Sequence, residues 1–237
     1  MARAFNGSSS RLVGTQGYLN GRGAADFCVS VWVKPANLTQ DNRVVVRSGN
    51  SANDSAFWMI WCSILGGTLY AGFATYTFSY SPQTPLTQDH VHDGVFLAWR
   101  RNAAGWSRWA NGVSAVLDPT PAWSMEAFAA SVSTTIGADR SGVNILHGAF
   151  QGDIAEVAIW NCAPTDVEMA ALGKGLPADQ VAAPSLLAYW PLRGHTSPEP
   201  EYAAFATPAR RMTVVSATTA RHPPMRGLQT MPSYFSA

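Results

Sequence analysis

Pairs of acidic residues are the side chains that could do covalent chemistry in this chain. A retaining glycoside hydrolase needs two carboxyl groups ~5–5.5 Å apart, which one strand can supply when the acids alternate on one face. Asp153 and Glu156 are three residues apart, so a regular strand would place them on opposite faces. Asp166 and Glu168 stand at a predicted helix start, where capping explains them. The acidic residues therefore predict no catalytic pair.

Two sets of side chains could bind a metal ion. His90 and His92 could share the face of a strand, with His147 brought in by folding, but no third ligand lies near them in sequence. We therefore interpret them as loop histidines beside the turn at Asp93-Gly94.

The second set offers oxygen atoms. Asp139, Asn144 and Asp153 lie near predicted loop ends and carry the oxygen ligands that calcium prefers. Asp and Asn side chains also satisfy turns by themselves, which is the alternative explanation. The sequence thus requires no cofactor, and calcium at these three residues is the metal site that it predicts.

Aromatic rings could stack on a ligand if they are exposed. Trp58 and Trp61 fall on opposite faces of one predicted strand, and Trp106 and Trp109 do so on another, so one ring of each pair could be outside. Trp123 lies in a predicted loop. We predict Trp61, Trp109 and Trp123 as ligand-binding rings, although an exposed tryptophan also serves as the anchor of a protein interface.

Composition limits the class of protein. The 237 residues are 47% hydrophobic and 13% charged, with 20 Gly and 15 Pro, which excludes disorder and favours short strands joined by turns. A formal charge of +1 gives no reason to expect nucleic acid as a partner. Neither a secretory signal nor an apolar membrane-spanning run is visible, so we expect a protein made in a cytoplasm and no membrane insertion. The three cysteines are far apart and predict small buried residues.

Strand patterns recur along the chain. Asn111-Gly112 between two apolar runs predicts a type I′ hairpin, and Gly66-Gly67 predicts another tight turn. In the last long strand we expect Ala155, Val157 and Ile159 to share one side. Ten strands are predicted: 26–35, 42–49, 56–65, 68–80, 95–101, 106–110, 113–117, 133–139, 152–160 and 185–192.

One helix and a C-terminal extension complete the prediction. Thr165 as N-cap, with Glu168 three residues later, begins a helix that ends at Gly173 or Gly175. We predict an all-β, two-sheet antiparallel jelly-roll sandwich over residues 1–195, with one short helix. Residues 196–237 form an extended arm with one more strand, lying on its own surface or a neighbour's. Its predicted interface residues are Val214, Val215, Met225, Leu228, Tyr234 and Phe235.

Four segments together resemble the laminin-G-like or concanavalin A-like jelly-roll family over about residues 5–192. They are FCVSVWVKP (27–35), WANGVSA (109–115), IGADRSG (136–142) and FQGDIAEVAIWNCAPTDVEMAAL (150–172). The chain departs from the family pattern at Ala155, where the family has Asp, so the resemblance carries no calcium site over. LLAYWPLRG (186–194) is similar to laminin-G-like proteins of tailed bacteriophages.

The resemblance implies a non-catalytic structural or binding protein of a bacteriophage virion: a capsid decoration, fibre or tail-associated subunit. Its expected partners are other virion subunits, including copies of itself, and cell-surface polysaccharide. The alternative is a free calcium-dependent lectin-like module that binds carbohydrate. The third is a glycoside hydrolase or lyase of the same fold.

Overall fold

Sixteen strands, two α-helices and two short 3-10 helices, Ala178–Gln180 and Ala183–Ser185, make up the regular structure of the described part of the chain. The computed structural model describes residues 2–19, 25–41, 43–50, 57–75, 83–118, 132–139, 148–193, 197–203 and 211–221. The strands form two sheets of eight that pack face to face. Every strand pairing is antiparallel except that of β12 with β4. This confirms the predicted all-β sandwich.

Sheet A has the strand order β10-β9-β8-β3-β13-β1-β16, with β14 also paired to β13. Its strands are β1 (Ala2–Asn6), β3 (Phe27–Pro35), β8 (Val95–Asn102), β9 (Gly105–Ala110), β10 (Val113–Asp118), β13 (Gln151–Trp160), β14 (Leu186–Trp190) and β16 (Thr218–Ala220).

Sheet B has the order β15-β2-β11-β4-β5-β6-β7, with β12 also paired to β4. Its strands are β2 (Arg11–Gly14), β4 (Arg43–Asn50), β5 (Phe57–Leu65), β6 (Thr68–Thr75), β7 (Thr84–Pro85), β11 (Val132–Ile136), β12 (Gly148–Ala149) and β15 (Thr213–Val215). Each of the ten predicted strands has its counterpart in the two sheets, whereas β1, β2, β7 and β12 were not predicted. Residues 76–80, also predicted as strand, lie outside the described residues.

Both predicted tight turns have the backbone that they require. Asn111 and Gly112 have φ values of 49° and 79°, and Gly66 and Gly67 have 56° and 83°. Positive φ at both central residues defines the type I′ turn that matches the twist of a hairpin. The two dipeptides therefore fix the register of β9 with β10 and of β5 with β6.

The apolar side chains form two main layers. The inner core lies between the sheets and includes Trp99 and Trp190. The outer core lies on the other face of sheet A and includes Trp32, Trp160 and Met169. The three tryptophans other than Trp32 are at most 1% exposed, and Trp32 is 3% exposed. Of the predicted buried cysteines, Cys28 and Cys62 are buried and Cys162 is only half-buried.

The described residues contain two α-helices where one was predicted. The predicted helix is α2 (Asp166–Gly173), and the side chains of Thr165 and Glu168 form its capping box. Met169 and Leu172 bury its apolar side in the outer core. The additional helix, α1 (Gln88–Asp93), has only six residues, and its N-cap is Thr87.

The described part of the C-terminal segment belongs to the sandwich. β16 pairs with β1 at the edge of sheet A, and β15 pairs with β2 at the edge of sheet B. Arg3 contacts Glu199 at 2.7 Å, and Met212 is fully buried in the inner core. Of the two placements considered for the arm, this part lies on its own surface. Residues 222–237 lie outside the described residues.

Candidate functional site

A β-bulge interrupts β13 at Glu156. The register with β3 shifts between Ala155 and Ala158, and Glu156 has a φ of 51°. Because the bulge inserts one residue, the alternation of side chains changes phase there. Ile154, Val157 and Ile159 consequently face the inner core. The outer core takes Ala155, Ala158 and Trp160.

The bulge overturns two predictions. Ala155 does not share a side with Val157 and Ile159. Asp153 and Glu156 also do not lie on opposite faces. Asp153 precedes the inward-facing Ile154 in the strand, so its side chain is on the outer face of sheet A. The carboxylate of Glu156 is on the same face, because it accepts a hydrogen bond from Tyr189 of the outer core.

Glu156 is held in place by a buried tyrosine. The hydroxyl of Tyr189 donates a hydrogen bond to Oε2 of Glu156, and Tyr189 is 2% exposed. Burial, reinforced by the negative charge of Glu156, raises the pKa of Tyr189, so its hydroxyl stays a proton donor. The backbone N–H of Glu156 donates to the carbonyl of Pro191 at 3.4 Å. The strained backbone and its carboxylate are therefore fixed from two sides.

Tyr202 extends this arrangement to the surface. Its backbone N–H donates to the carbonyl of Tyr189 at 2.8 Å, and the two rings meet edge to face with centroids 6.3 Å apart. The guanidinium carbon of Arg193 lies 5.2 Å from the centroid of the Tyr202 ring. We call Glu156, Tyr189, Arg193 and Tyr202 the bulge cluster. It offers an aromatic ring, a cation and a carboxylate acceptor together.

Tyr202 is distinguished by its exposure. It is 42% exposed, and no other Phe, Trp or Tyr side chain in the described ranges is exposed. An exposed aromatic ring beside hydrogen-bonding groups is the usual arrangement for stacking on the apolar face of a sugar ring.

The predicted ligand-binding tryptophans lie elsewhere. Trp61 is 4% exposed on the outer face of sheet B, and its indole lies against Gly72, where a Cβ atom would come within 3.0 Å of it. Trp109 is 3% exposed in the outer core, with Arg100 over its ring at 5.1 Å. Each ring lies on the outer face of its sheet, whereas Trp58 and Trp106 lie in the inner core, so the two rings of each pair do face opposite sides. Other residues cover both outer rings, so the expected exposure was wrong, and ligand binding by them stays a prediction. Trp123 lies outside the described residues.

The predicted calcium ligands do not come together in the described ranges. Asp139 follows β11 of sheet B and forms an ion pair with Arg47 at 3.2 Å, both side chains being 2% exposed. Asp153 is on the outer face of sheet A. No group of three His, Cys, Asp or Glu side chains in the described part could hold a metal ion. Asn144 lies outside that part, and calcium stays a prediction.

The two predicted loop histidines lie on helix α1, and His90 caps its N-terminus. His90 occupies the third position of α1, where its Nδ1 accepts a hydrogen bond from the N–H of Thr87 at 3.1 Å. Nε2 of His92 is 3.5 Å from the side-chain amide of Gln88. The two histidines are thus on a helix rather than in a loop. His147 lies outside the described residues.

The structure describes two of the six predicted interface residues. Val214 pairs with Leu12 and packs against the inner core, and Val215 pairs with Arg11 and is half-buried. Both therefore make intramolecular contacts, and a role between subunits stays a prediction for them. The remaining four lie outside the described residues: Met225, Leu228, Tyr234 and Phe235.

Sequence reasoning missed Tyr202 and Arg193. Tyr202 stands in the Pro- and Glu-rich stretch that was assigned to the arm, and Arg193 follows the last predicted strand. An aromatic residue within a polar stretch is a weak signal, and the pairing of Tyr202 with Tyr189 depends on the fold.

No helix among the described residues has the length and apolar character needed to cross a membrane.

Comparison with known proteins gives the relationship of the chain. Residues 7–170 match the family model Laminin_G_3, described as the concanavalin A-like lectin/glucanases superfamily. None of the curated proteins matches the sequence.

Solved structures resemble the fold at low sequence identity. A putative carbohydrate binding protein from Bacteroides ovatus is 15% identical with a TM-score of 0.58, covering 94% of this chain and 62% of its own. The heptameric SAP-like pentraxin from Limulus polyphemus is 15% identical with a TM-score of 0.49, covering 73% of this chain and 81% of its own. The similarity to the Bacteroides protein shows the fold alone. This chain spans about 62% of the length of the Bacteroides protein.

Proposed function

Since the chain belongs to the concanavalin A-like lectin/glucanase superfamily, we propose that it is a non-catalytic carbohydrate-binding protein whose ligand binds at the bulge cluster. The observation that carries the proposal is the exposed ring of Tyr202, which contacts Arg193 and packs on Tyr189, the residue that holds Glu156. A sugar needs an apolar surface for its C–H face and charged or polar groups for its hydroxyls, and the cluster offers both.

The acidic side chains favour a lectin over a glucanase. Glycoside hydrolysis requires two carboxyl groups that face the same bond, one of them able to give up a proton. Six carboxylates of the described residues are instead engaged by partners of their own. These pairs are Asp41 with Ser63, Asp139 with Arg47, Glu156 with Tyr189, Asp166 with Arg100, Glu168 with Thr165, and Glu199 with Arg3.

Preorganisation supports binding at this place. Tyr202 is fixed by its backbone hydrogen bond to Tyr189, and the hydroxyl of Tyr189 holds the carboxylate of Glu156. A ligand that meets such groups loses little free energy in ordering them.

The test is a glycan array probed with the full chain, followed by calorimetry on the glycans that bind. Replacing Tyr202 by Ala should weaken binding roughly tenfold, because ring stacking contributes about 1–1.5 kcal/mol. Tyr202→Phe keeps the ring and should bind within about twofold of the native chain. Val167→Ala, at a site 80% exposed on α2, is the matched control and should change nothing.

Two further measurements separate this proposal from the calcium-dependent lectin and from the glycoside hydrolase. Loss of binding with a chelator would assign the calcium-dependent lectin reading, in which Asp139, Asn144 and Asp153 are the candidate ligands. Release of reducing ends from the bound polysaccharide would contradict a non-catalytic role. Equal binding by the native chain and Tyr202→Ala would remove the bulge cluster from the proposal.

We keep the virion subunit as a second proposal, in which the same glycan site serves adhesion to cell-surface polysaccharide. Its support is the apolar, proline-containing sequence of residues 222–237, which is suited to contacts with other subunits or with copies of this chain. Co-sedimentation with particles should then depend on these residues. A chain ending at Arg221 that sediments with particles as well as the full chain would contradict this proposal.

A further inference from the structure

The charges around the bulge cluster are unequal. Glu156 and Asp179 both raise the pKa of Tyr189 electrostatically, although less than its burial does, and Arg193 acts in the opposite direction. Asp179 and Arg193 are exposed, and Glu156 is half-buried. Asp179 stands on the 3-10 helix Ala178–Gln180, which packs against β14, the strand of Tyr189. Two carboxylates and one guanidinium therefore lie around Tyr189, on which the Tyr202 ring packs, and they leave a local charge of about −1.

The single cation is already partly engaged. The guanidinium of Arg193 lies over the ring of Tyr202, where the ring quadrupole attracts it. Lys34 is paired in register with Asp153, whose carboxylate offsets its charge. An acidic ligand that binds at Tyr202 would thus meet more negative than positive charge.

The same groups suit hydroxyls. Glu156 is positioned as an acceptor by the Tyr189 hydroxyl, and a carboxylate with four lone-pair sites can also accept hydrogen bonds from ligand hydroxyls. The outer edge of a planar guanidinium donates hydrogen bonds in the plane of the group while its face stays on the aromatic ring.

The geometry points to an uncharged saccharide as the ligand of the bulge cluster, with Glu156 and Asp179 as the residues that reject acidic sugars. This inference rests on the proposed function. It adds specificity to that function, because repulsion between like charges lowers the affinity for an acidic sugar and leaves the affinity for a neutral sugar unchanged.

The experiment uses the full chain and two matched ligands, galactose oligomers and galacturonate oligomers of equal length, which differ in one carboxylate per residue. At low ionic strength the native chain should bind the neutral oligomer about tenfold more tightly, as expected for a like-charge contact in a partly screened site. Added salt should reduce that ratio, because it screens exposed charges.

The double variant Glu156→Gln/Asp179→Asn should reduce the ratio to about twofold or less by improving binding of the acidic oligomer. Asp89→Asn, an exposed acid on α1, makes a change of the same sign in net charge away from the cluster and should leave the ratio intact. Circular dichroism checks that the variants are folded.

The outcomes separate the two levels of the proposal. Equal binding of both oligomers by the native chain, or tighter binding of the acidic one, overturns the specificity and leaves carbohydrate binding in place. The same holds if Asp89→Asn changes the ratio as much as the double variant does. A chain that binds neither these oligomers nor any glycan of the array overturns the proposed function itself.

Discussion

Replacing Arg3 by Met should destabilise the sandwich strongly. Nε and Nη2 of Arg3 donate to Oε2 of Glu199 at 3.0 and 2.7 Å, and the two side chains are 6% and 1% exposed. Removing the cation leaves the carboxylate of Glu199 buried without its ion-pair partner, which costs about 3–5 kcal/mol in comparable sites. Nη1 of Arg3 also contacts the carbonyl of Ala217 at 3.5 Å, so the loss includes the turn between β15 and β16.

The magnitude can be measured by thermal unfolding at neutral pH. For a chain of this size 1 kcal/mol corresponds to a shift of about 2–4 °C, so Arg3→Met should lower Tm by roughly 6–20 °C. Arg211→Met removes an exposed arginine from the same segment and should lower Tm by no more than about 2 °C. The double variant Arg3→Met/Glu199→Met should recover most of the loss, because paired apolar residues can replace a buried ion pair.

A Tm for Arg3→Met equal to that of Arg211→Met would refute this reasoning. It would mean that residues 197–203 and 211–221 do not pack on the sandwich in solution and that the C-terminal segment is a separable arm. A double variant as unstable as the single one would show that the arginine contributes by contacts other than Glu199.

Three further changes test the packing and the ionisable groups. Gly137→Ala should lower stability by about 3 kcal/mol or more, measured by urea unfolding, because its φ is +85° and the added Cβ would lie 2.0 Å from Cδ1 of Phe5. Burial raises the pKa of Asp153, so the free energy of unfolding falls as pH rises and the buried carboxyl must ionise. Asp153→Asn should therefore have a higher Tm than the native chain at pH 7 and the same Tm near pH 3. Hydrogen bonds from Thr165 lower the pKa of Glu168, so Glu168→Gln should lower Tm a little at pH 7. The difference should disappear as pH falls through that lowered pKa, and a difference that stays unchanged in acid would contradict the charged cap.

Local features were predictable because their causes are local. Asn111-Gly112 permits positive φ at two adjacent residues, and the hairpin follows from that dipeptide. The capping box of α2 likewise depends on two residues three positions apart, Thr165 and Glu168. In both cases the sequence within a few residues determines the structure.

The bulge at Glu156 could not be predicted in this way. Glutamate has no preference for positive φ, so nothing in the residue itself marks the place where β13 changes phase. The conformation depends on tertiary contacts with Tyr189 and Pro191. Regular alternation consequently misplaced Ala155 and both acidic side chains of the strand.

Burial of the predicted tryptophans has a similar cause. Alternation along a strand tells which side chains share a face, but not whether other residues cover that face. Trp109 is outward-facing on sheet A and is buried because Arg100 and the outer core lie over it. The contact of Arg3 with Glu199 joins residues 196 positions apart, a distance at which a single sequence carries no pairing signal.

The most direct test of carbohydrate recognition at the bulge cluster is a crystal structure of the chain with a neutral oligosaccharide from the array. We predict a sugar ring stacked on Tyr202, with hydroxyls hydrogen-bonded to Glu156 and Arg193. An oligosaccharide bound elsewhere, for example on the outer face of sheet B near Trp61, with the surface around Tyr202 empty, would contradict the account.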